Sequence, residues 1–235
     1  MRERLEVRAH DNWSGIYWLT LEDGTRRLAT RNLVPGKSVY GERLLEWNEN
    51  EYRLWDADRS KLAAAIIKNI SSVPIRPFGR ILYLGAASGT TASHVSDIVG
   101  EQGAVYCVEF SARVMRELIA SLCGDRPNIY PILEDVRFPE RYRQSVGQVD
   151  AIYCDVAQPE QAKIVADNAD TYLEPNSGAL LAIKSRSIDV TKSPSQIFKK
   201  EIATLESRGF SVKSNIRLEP FDQDHAMVSM IYKET

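Results

Sequence analysis

From residue 56 onward, short apolar runs alternate with longer stretches whose apolar residues recur at helical spacing. The runs Arg80–Leu84, Ala104–Glu109, Asn128–Leu133, Val149–Cys154 and Ala179–Ile183 are rich in Val, Ile and Leu and predict strands buried on both faces. Between them the pattern predicts helices through Ser60–Ile67, Ser93–Val99, from a Ser111 cap to about Cys123, and around Gln161–Tyr172, with a shorter helical stretch before Val149. Asp56 or Asp58 is the expected cap of the first, and a helix through Ile197–Ser207 follows Pro194. Two β-like runs, Phe210–Leu218 and Ala226–Tyr232, end the chain with no room for a helix between them, so they should lie antiparallel. Such alternation predicts an α/β fold: a mostly parallel sheet covered by helices on both faces, with an antiparallel ending.

Residues 1–55 have a different pattern. Arg4–Arg8, Ile16–Leu21, Arg26–Thr30 and Glu51–Trp55 predict short strands, and Asp23-Gly24 is a hairpin-turn pair. Trp13, Tyr17, Trp18, Tyr40, Trp47, Tyr52 and Trp55 concentrate here, as in a small β-layer packed against a larger body. The expected division is a β-rich extension over 1–55 and a larger α/β domain over 56–235.

Composition narrows the class. Hydrophobic residues at 43% and charged residues at 26% are normal for a globular protein. No apolar run approaches the roughly 18 residues that span a bilayer. The start Met1-Arg-Glu-Arg-Leu-Glu lacks the apolar core of a secretion signal, so a cytoplasmic protein is expected. Cys107, Cys123 and Cys154 have no metal-like spacing, and two of them lie in strand runs as small buried hydrophobes; no metal is expected. Thirty basic against 32 acidic residues leave a net charge of −2, unlike an autonomous nucleic-acid binder.

The candidate chemistry gathers at strand ends. Leu82 to Thr91 reads as strand, small-residue turn and helix start, with Gly85 and Gly89 admitting a ligand close to the backbone and the helix offering unpaired N–H groups. The turn G-A-A-S-G departs from the G-x-G-x-x-G dinucleotide fingerprint, which weighs against a nicotinamide-dependent dehydrogenase. Glu109 ends the second core strand, where a carboxylate can accept from two ribose hydroxyls, and Phe110 can pack on an adenine face. Asp135 can accept from the adenine amino group, and Asp155 closes the fourth strand.

Tyr83–Thr91, His94–Gly100, Val108-Glu109-Phe110-Ser111, Asp155-Val156-Ala157-Gln158-Pro159 and Asp224-His225-Ala226 resemble the fibrillarin family. The likeness runs from about Val39 to Tyr232 and, without a Gly/Arg-rich N-terminal tail, is to the archaeal form. It implies a Rossmann-like class I methyltransferase fold, with a seven-stranded sheet whose last strand is antiparallel, and an enzyme that uses S-adenosylmethionine to methylate ribose 2′-hydroxyls of pre-rRNA and tRNA. It also implies partners: box C/D guide RNA with its target, a Nop-domain scaffold protein and a small kink-turn-binding subunit related to ribosomal proteins. Cofactor contacts would fall on Gly85, Ala86, Thr90, Thr91, Glu109, Phe110, Asp135, Val136, Asp155, Val156, Ala157 and Gln158. The catalytic set would be Lys61, Asp155, Lys184 and His225, the histidine standing where other 2′-O-methyltransferases often have Glu.

That set has a chemical logic. A protonated ribose hydroxyl is a poor nucleophile, and a positioned acceptor helps. A lysine with its ordinary pKa of ~10.4 accepts poorly at neutral pH; a second ammonium and partial burial favour its neutral form, whereas Asp155 favours the charged one. Lys184 is then expected to take or polarise the proton while Asp155 orients it, Lys61 to stabilise charge on oxygen, and His225 to orient one lysine. Arg26, Arg27, Arg31, Lys37, Arg137, Arg141, Arg143, Arg186, Lys192, Lys199 and Lys200 are candidate phosphate contacts. The competing reading is a non-catalytic assembly subunit that keeps the same shape; possession of all four catalytic candidates speaks against it.

Overall fold

The computed structural model describes residues 5–233, so the expected strand start at Arg4 lies outside the described residues. The chain opens with β1 (Glu6–Ala9), β2 (Ile16–Thr20), β3 (Arg26–Arg31), β4 (Leu44–Trp47) and β5 (Asn50–Leu54). They form an antiparallel five-stranded sheet in the order β1-β2-β3-β5-β4. The Asp23-Gly24 turn forms as expected: Asp23 Oδ1 accepts from Thr25 N–H at 2.8 Å, and Gly24 is left-handed at φ 79°. Strand β4 was not expected. Its turn places Asn48 and Glu49 at φ 45° and 62°, the geometry that Asn-Gly usually marks, and a glutamate in the glycine position hides the signal.

Next come α1 (Lys61–Ile67), β6 (Arg80–Leu84), α2 (Thr90–Val99), β7 (Ala104–Glu109) and α3 (Ala112–Leu118), which Ser111 caps. Helix α3 runs into a π-helical turn, Ile119–Cys123, and then β8 (Ile129–Leu133). A 3₁₀ turn at Pro139–Tyr142 leads to α4 (Arg143–Val146), β9 (Val149–Cys154), α5 (Gln161–Tyr172) and β10 (Leu173–Lys184). The short α6 (Ser185–Ile188), α7 (Pro194–Ser207), β11 (Phe210–Arg217) and β12 (His225–Tyr232) close the fold. One expectation is corrected: neither Asp56 nor Asp58 caps α1. Asp56 Oδ1 accepts from Asp58 N–H in a local turn, and Ser60 Oγ accepts from Ala63 N–H as the cap.

The second sheet has seven strands in the order β11-β12-β10-β9-β6-β7-β8. Pairings from β10 through β8 are parallel, and β12 is antiparallel to both of its neighbours. Alternation along each strand sorts the core. Ile81, Tyr83, Tyr153 and Leu180 face α1, α2 and α3, whereas Leu82, Leu84, Ile152 and Leu181 face α5 and α7. The five-stranded sheet joins the first of these faces, where Ile16, Leu28 and Trp55 share a cluster with Val95, Ile98 and Val99.

A buried polar network also fastens that sheet to α2. The Asp97 carboxylate meets Arg53 Nη1 at 2.8 Å and Arg126 Nη1 at 2.6 Å, and Arg53 Nε donates to Glu42 at 2.6 Å. Thr30 gives its only proton to Asp97 at 2.7 Å, so its oxygen accepts from His94 Nδ1–H, also at 2.7 Å. His94 Nε2 then accepts from the Tyr40 hydroxyl at 2.7 Å, while Trp55 stacks on the ring. Burial, helped by Arg53 and Arg126, holds the His94 pKa well below 6.5. Above that pH His94 is neutral folded and unfolded; below it the unfolded chain takes up a proton that the folded chain refuses. Stability contributed by the neutral ring is therefore lost as pH falls below 6.5, at up to ~1.4 kcal/mol per pH unit. Denaturant titrations between pH 7.5 and pH 5 should show this slope, and it should flatten in His94→Gln.

Candidate active site

Strand β6 is where the order of the parallel strands reverses, with β7 on one side and β9 on the other, and the carboxyl end of such a switch point is where open α/β sheets bind ligands. The chain leaves β6 through a turn that only small residues fit. Gly85 is left-handed at φ 80°, and a Cβ there would come within 2.9 Å of Val156 Cγ1 and 3.1 Å of the Asp155 carbonyl. At Gly89, φ 94°, a Cβ would lie 2.2 Å from Leu122 Cδ1. The turn delivers Thr90 and Thr91 to the start of α2. Ala86 is buried beneath the turn, and the Thr91 hydroxyl donates to Ser60 Oγ at 2.9 Å, tying the starts of α2 and α1 together.

The other strand ends ring this turn. Glu109 is almost wholly buried, and its Oε1 accepts from Ser111 N–H at 2.9 Å, while Oε2 makes no hydrogen bond with the described residues. Next to it the Phe110 ring is 65% exposed, an open aromatic face. Asp135 lies two residues past the end of β8, and both its oxygens accept from the Arg137 guanidinium, which holds its carboxyl below the ordinary range. Val136 and Val156 are buried, and Ala157 and Gln158 continue the loop from β9.

The four catalytic candidates come together at this edge from four different elements. Lys61 is the first residue of α1, Asp155 follows β9, Lys184 ends β10 and His225 begins β12, directly opposite Lys184 in the ladder. Asp155 Oδ1 lies 2.9 Å from Lys184 Nζ and 3.4 Å from Lys61 Nζ, and Lys184 Nζ also donates to the Asp155 carbonyl at 2.7 Å. Asp155 Oδ1 is buried without a well-aligned hydrogen bond, so it keeps an acceptor site.

Residues that sequence reasoning missed support the group. Gln161, fully buried, accepts from Lys184 N–H at 2.9 Å and so pins that lysine's backbone. Asp222 stands between His225 Nδ1, at 2.7 Å, and Lys61 Nζ, at 3.5 Å. The only sequence signal for Asp222 is a carboxylate three positions before the histidine, in a stretch with no periodicity.

The donor set fits a nucleoside. Two glycines let the turn pack closely against the β9 end and Leu122, a buried carboxylate offers a spare oxygen to hydroxyls, and an exposed ring offers a stacking face. A family model for fibrillarin matches residues 7–234. The chain belongs to the fibrillarin family.

The fibrillarin-like rRNA/tRNA 2′-O-methyltransferase of Aeropyrum pernix is 54% identical, over 99% of this chain and 100% of its own. The crystal structure of Aeropyrum pernix fibrillarin with natively bound S-adenosyl-L-methionine superposes with a TM-score of 0.90, covering 97% of this chain and 99% of that one. The chain in a fibrillarin/Nop5p complex is 35% identical with a TM-score of 0.82, covering 96% of this chain and 100% of that one. The fold is thus the fibrillarin methyltransferase fold, with its antiparallel N-terminal sheet. Within it, Gly85→Ala should force apart the β6 and β9 ends and strain a positive φ. A loss of about 1–3 kcal/mol is expected in denaturant unfolding.

Proposed function

We propose that this chain is the catalytic subunit of a box C/D guide-RNA-directed enzyme that methylates ribose 2′-hydroxyls of pre-rRNA and tRNA. It is an S-adenosylmethionine-dependent RNA 2′-O-methyltransferase, as its relatives are. The observation that carries the reading at the level of residues is Asp155 set between Lys61 and Lys184, beside the glycine turn at the sheet edge.

When bound, S-adenosylmethionine supplies an electrophilic methyl on a sulfonium sulfur. The residues proposed to hold it are Gly85, Ala86, Thr90 and Thr91 of the turn, Glu109 and Phe110 for the ribose and adenine, Asp135 and Val136 for the base edge, and Asp155 through Gln158. Lys184 takes or polarises the proton of the ribose hydroxyl, and Asp155, whose Oδ1 lies 2.9 Å from Lys184 Nζ, orients it. Lys61 Nζ stabilises the charge that grows on that oxygen, and its place at the first turn of a packed helix means little reorganisation is needed. His225 orients Lys61. Much of the acceleration comes from holding nucleophile and methyl in line.

Target choice lies outside this chain. Several of the candidate phosphate contacts are matched by acids: Lys37 by Asp125, Arg137 by Asp135, Arg186 by Asp224 and Lys192 by Asp189. With a net charge of −2, RNA affinity then depends on a Nop-domain scaffold, the guide RNA and a kink-turn-binding subunit in a cytoplasmic ribonucleoprotein. No helix among the described residues is long and apolar enough to cross a membrane.

The decisive assay is methyl transfer from labelled S-adenosylmethionine to guided RNA, with and without the partner proteins. Label should appear on a ribose target in the full assembly and vanish when the target nucleotide is 2′-deoxy; label that persists on the deoxy substrate contradicts the reading. In the same assay Lys184→Ala should leave cofactor affinity nearly intact while turnover collapses; activity within about threefold of wild type would refute the assigned role.

A further inference from the structure

We infer that Asp222 is a positioning residue of this active site, which fixes the His225 ring through Nδ1 and couples it to Lys61. The inference rests on the methyltransferase reading above. His225 Nδ1 hydrogen-bonds the Gln223 carbonyl at 2.6 Å, and Asp222 Oδ1 lies 2.7 Å from the same nitrogen as a charge contact. Neither acceptor can supply a proton, so Nδ1 carries one, and in the neutral ring Nε2 is left as the acceptor. The carboxylate's other oxygen, Oδ2, lies 3.5 Å from Lys61 Nζ. One side chain thus meets two members of the catalytic group, His225 and Lys61.

The backbone puts Asp222 there. The loop between β11 and β12 closes on itself: Leu218 N–H donates to the His225 carbonyl at 3.0 Å, and Asp222 N–H to the Leu218 carbonyl at 3.3 Å. Lys68 Nζ donates to the Glu219 carbonyl at 2.7 Å and anchors the loop to the chain just after α1. Asp224, left-handed at φ 58°, turns the chain into β12, and its carbonyl accepts from Ser185 Oγ at 2.8 Å. Lys61 already has Asp155 as a counter-charge, and a partly exposed ion pair adds little stability, so Asp222 is not needed merely to neutralise the lysine. The Gln223 carbonyl already sets the tautomer, so the distinct contribution of Asp222 is the carboxylate that orients the His225 ring toward Lys61.

The test measures single-turnover methylation in the full ribonucleoprotein at saturating S-adenosylmethionine, with KM for S-adenosylmethionine measured in parallel. Asp222→Asn should lower the rate at least about tenfold with KM moving less than about twofold, and Asp222→Glu should recover to within about threefold of wild type. In a His225→Ala background the same Asp222→Asn change should cost less than about twofold, because the residue acts through the ring. An Asp222→Asn rate within about twofold of wild type overturns the inference, and so does an equal loss with and without His225, the mark of a merely structural residue. A loss of S-adenosylmethionine binding in Asp222→Asn overturns it as well. No transfer by the wild-type assembly would defeat the methyltransferase reading itself and this inference with it.

Discussion

Two ammonium groups meet at one carboxylate. Lys61 and Lys184 arrive from a helix start and a strand end, and Asp155 stands between them at 2.9 and 3.4 Å. Like charges crowded this closely repel, so without the carboxylate the pair would spread. Asp155 is therefore what lets two cations share one small site. Its position follows from β9 lying beside β6, whose Gly85 lets the two strand ends approach to the distance a side chain would forbid.

The N-terminal sheet serves the same arrangement. Strand β5 runs through Trp55 into the turn that ends at Ser60, so the sheet sets where α1 begins and hence where Lys61 stands. Helix α2 carries His94 and Asp97 into the buried network and begins at the glycine turn. Arg53 and Asp97 are both at 0% side-chain exposure, which makes the joint between sheet and helix rigid: removing either partner would strand a buried charge. The Thr91–Ser60 hydrogen bond closes the loop between the two helix starts.

Much of this was legible in the sequence, for reasons of different strength. Strands buried on both faces write themselves as dense apolar runs, so β6, β7 and β9 were found to the residue, whereas β10 reaches back to Leu173 through Glu174-Pro175-Asn176, which look like a turn. Helix α2 begins at Thr90, where the strand–turn–helix reading of Leu82 to Thr91 puts a helix start, although its apolar period is clear only from Ser93 because the cap is a left-handed glycine. The short α6 was missed since four residues hold no period. Lys61, Asp155, Lys184 and His225 were named from family motifs, and the structure does bring them together. Asp222 and Gln161 were not found, because each acts across a tertiary contact, Gln161 on the Lys184 backbone and Asp222 on a ring set by a loop closure. The pairing of a candidate phosphate contact with an acid is not legible where that acid lies far away in sequence, as Asp125 does from Lys37.

On this reading Asp155 organises the reaction chemistry and not only the fold. The measurement that tests it most directly is the single-turnover methylation rate of Asp155→Asn in the assembled ribonucleoprotein, at S-adenosylmethionine concentrations shown to saturate it. The amide has the same shape but cannot hold two cations, so the account predicts a rate at least about a hundredfold below wild type with the protein still folded. A rate within about threefold of wild type would contradict it.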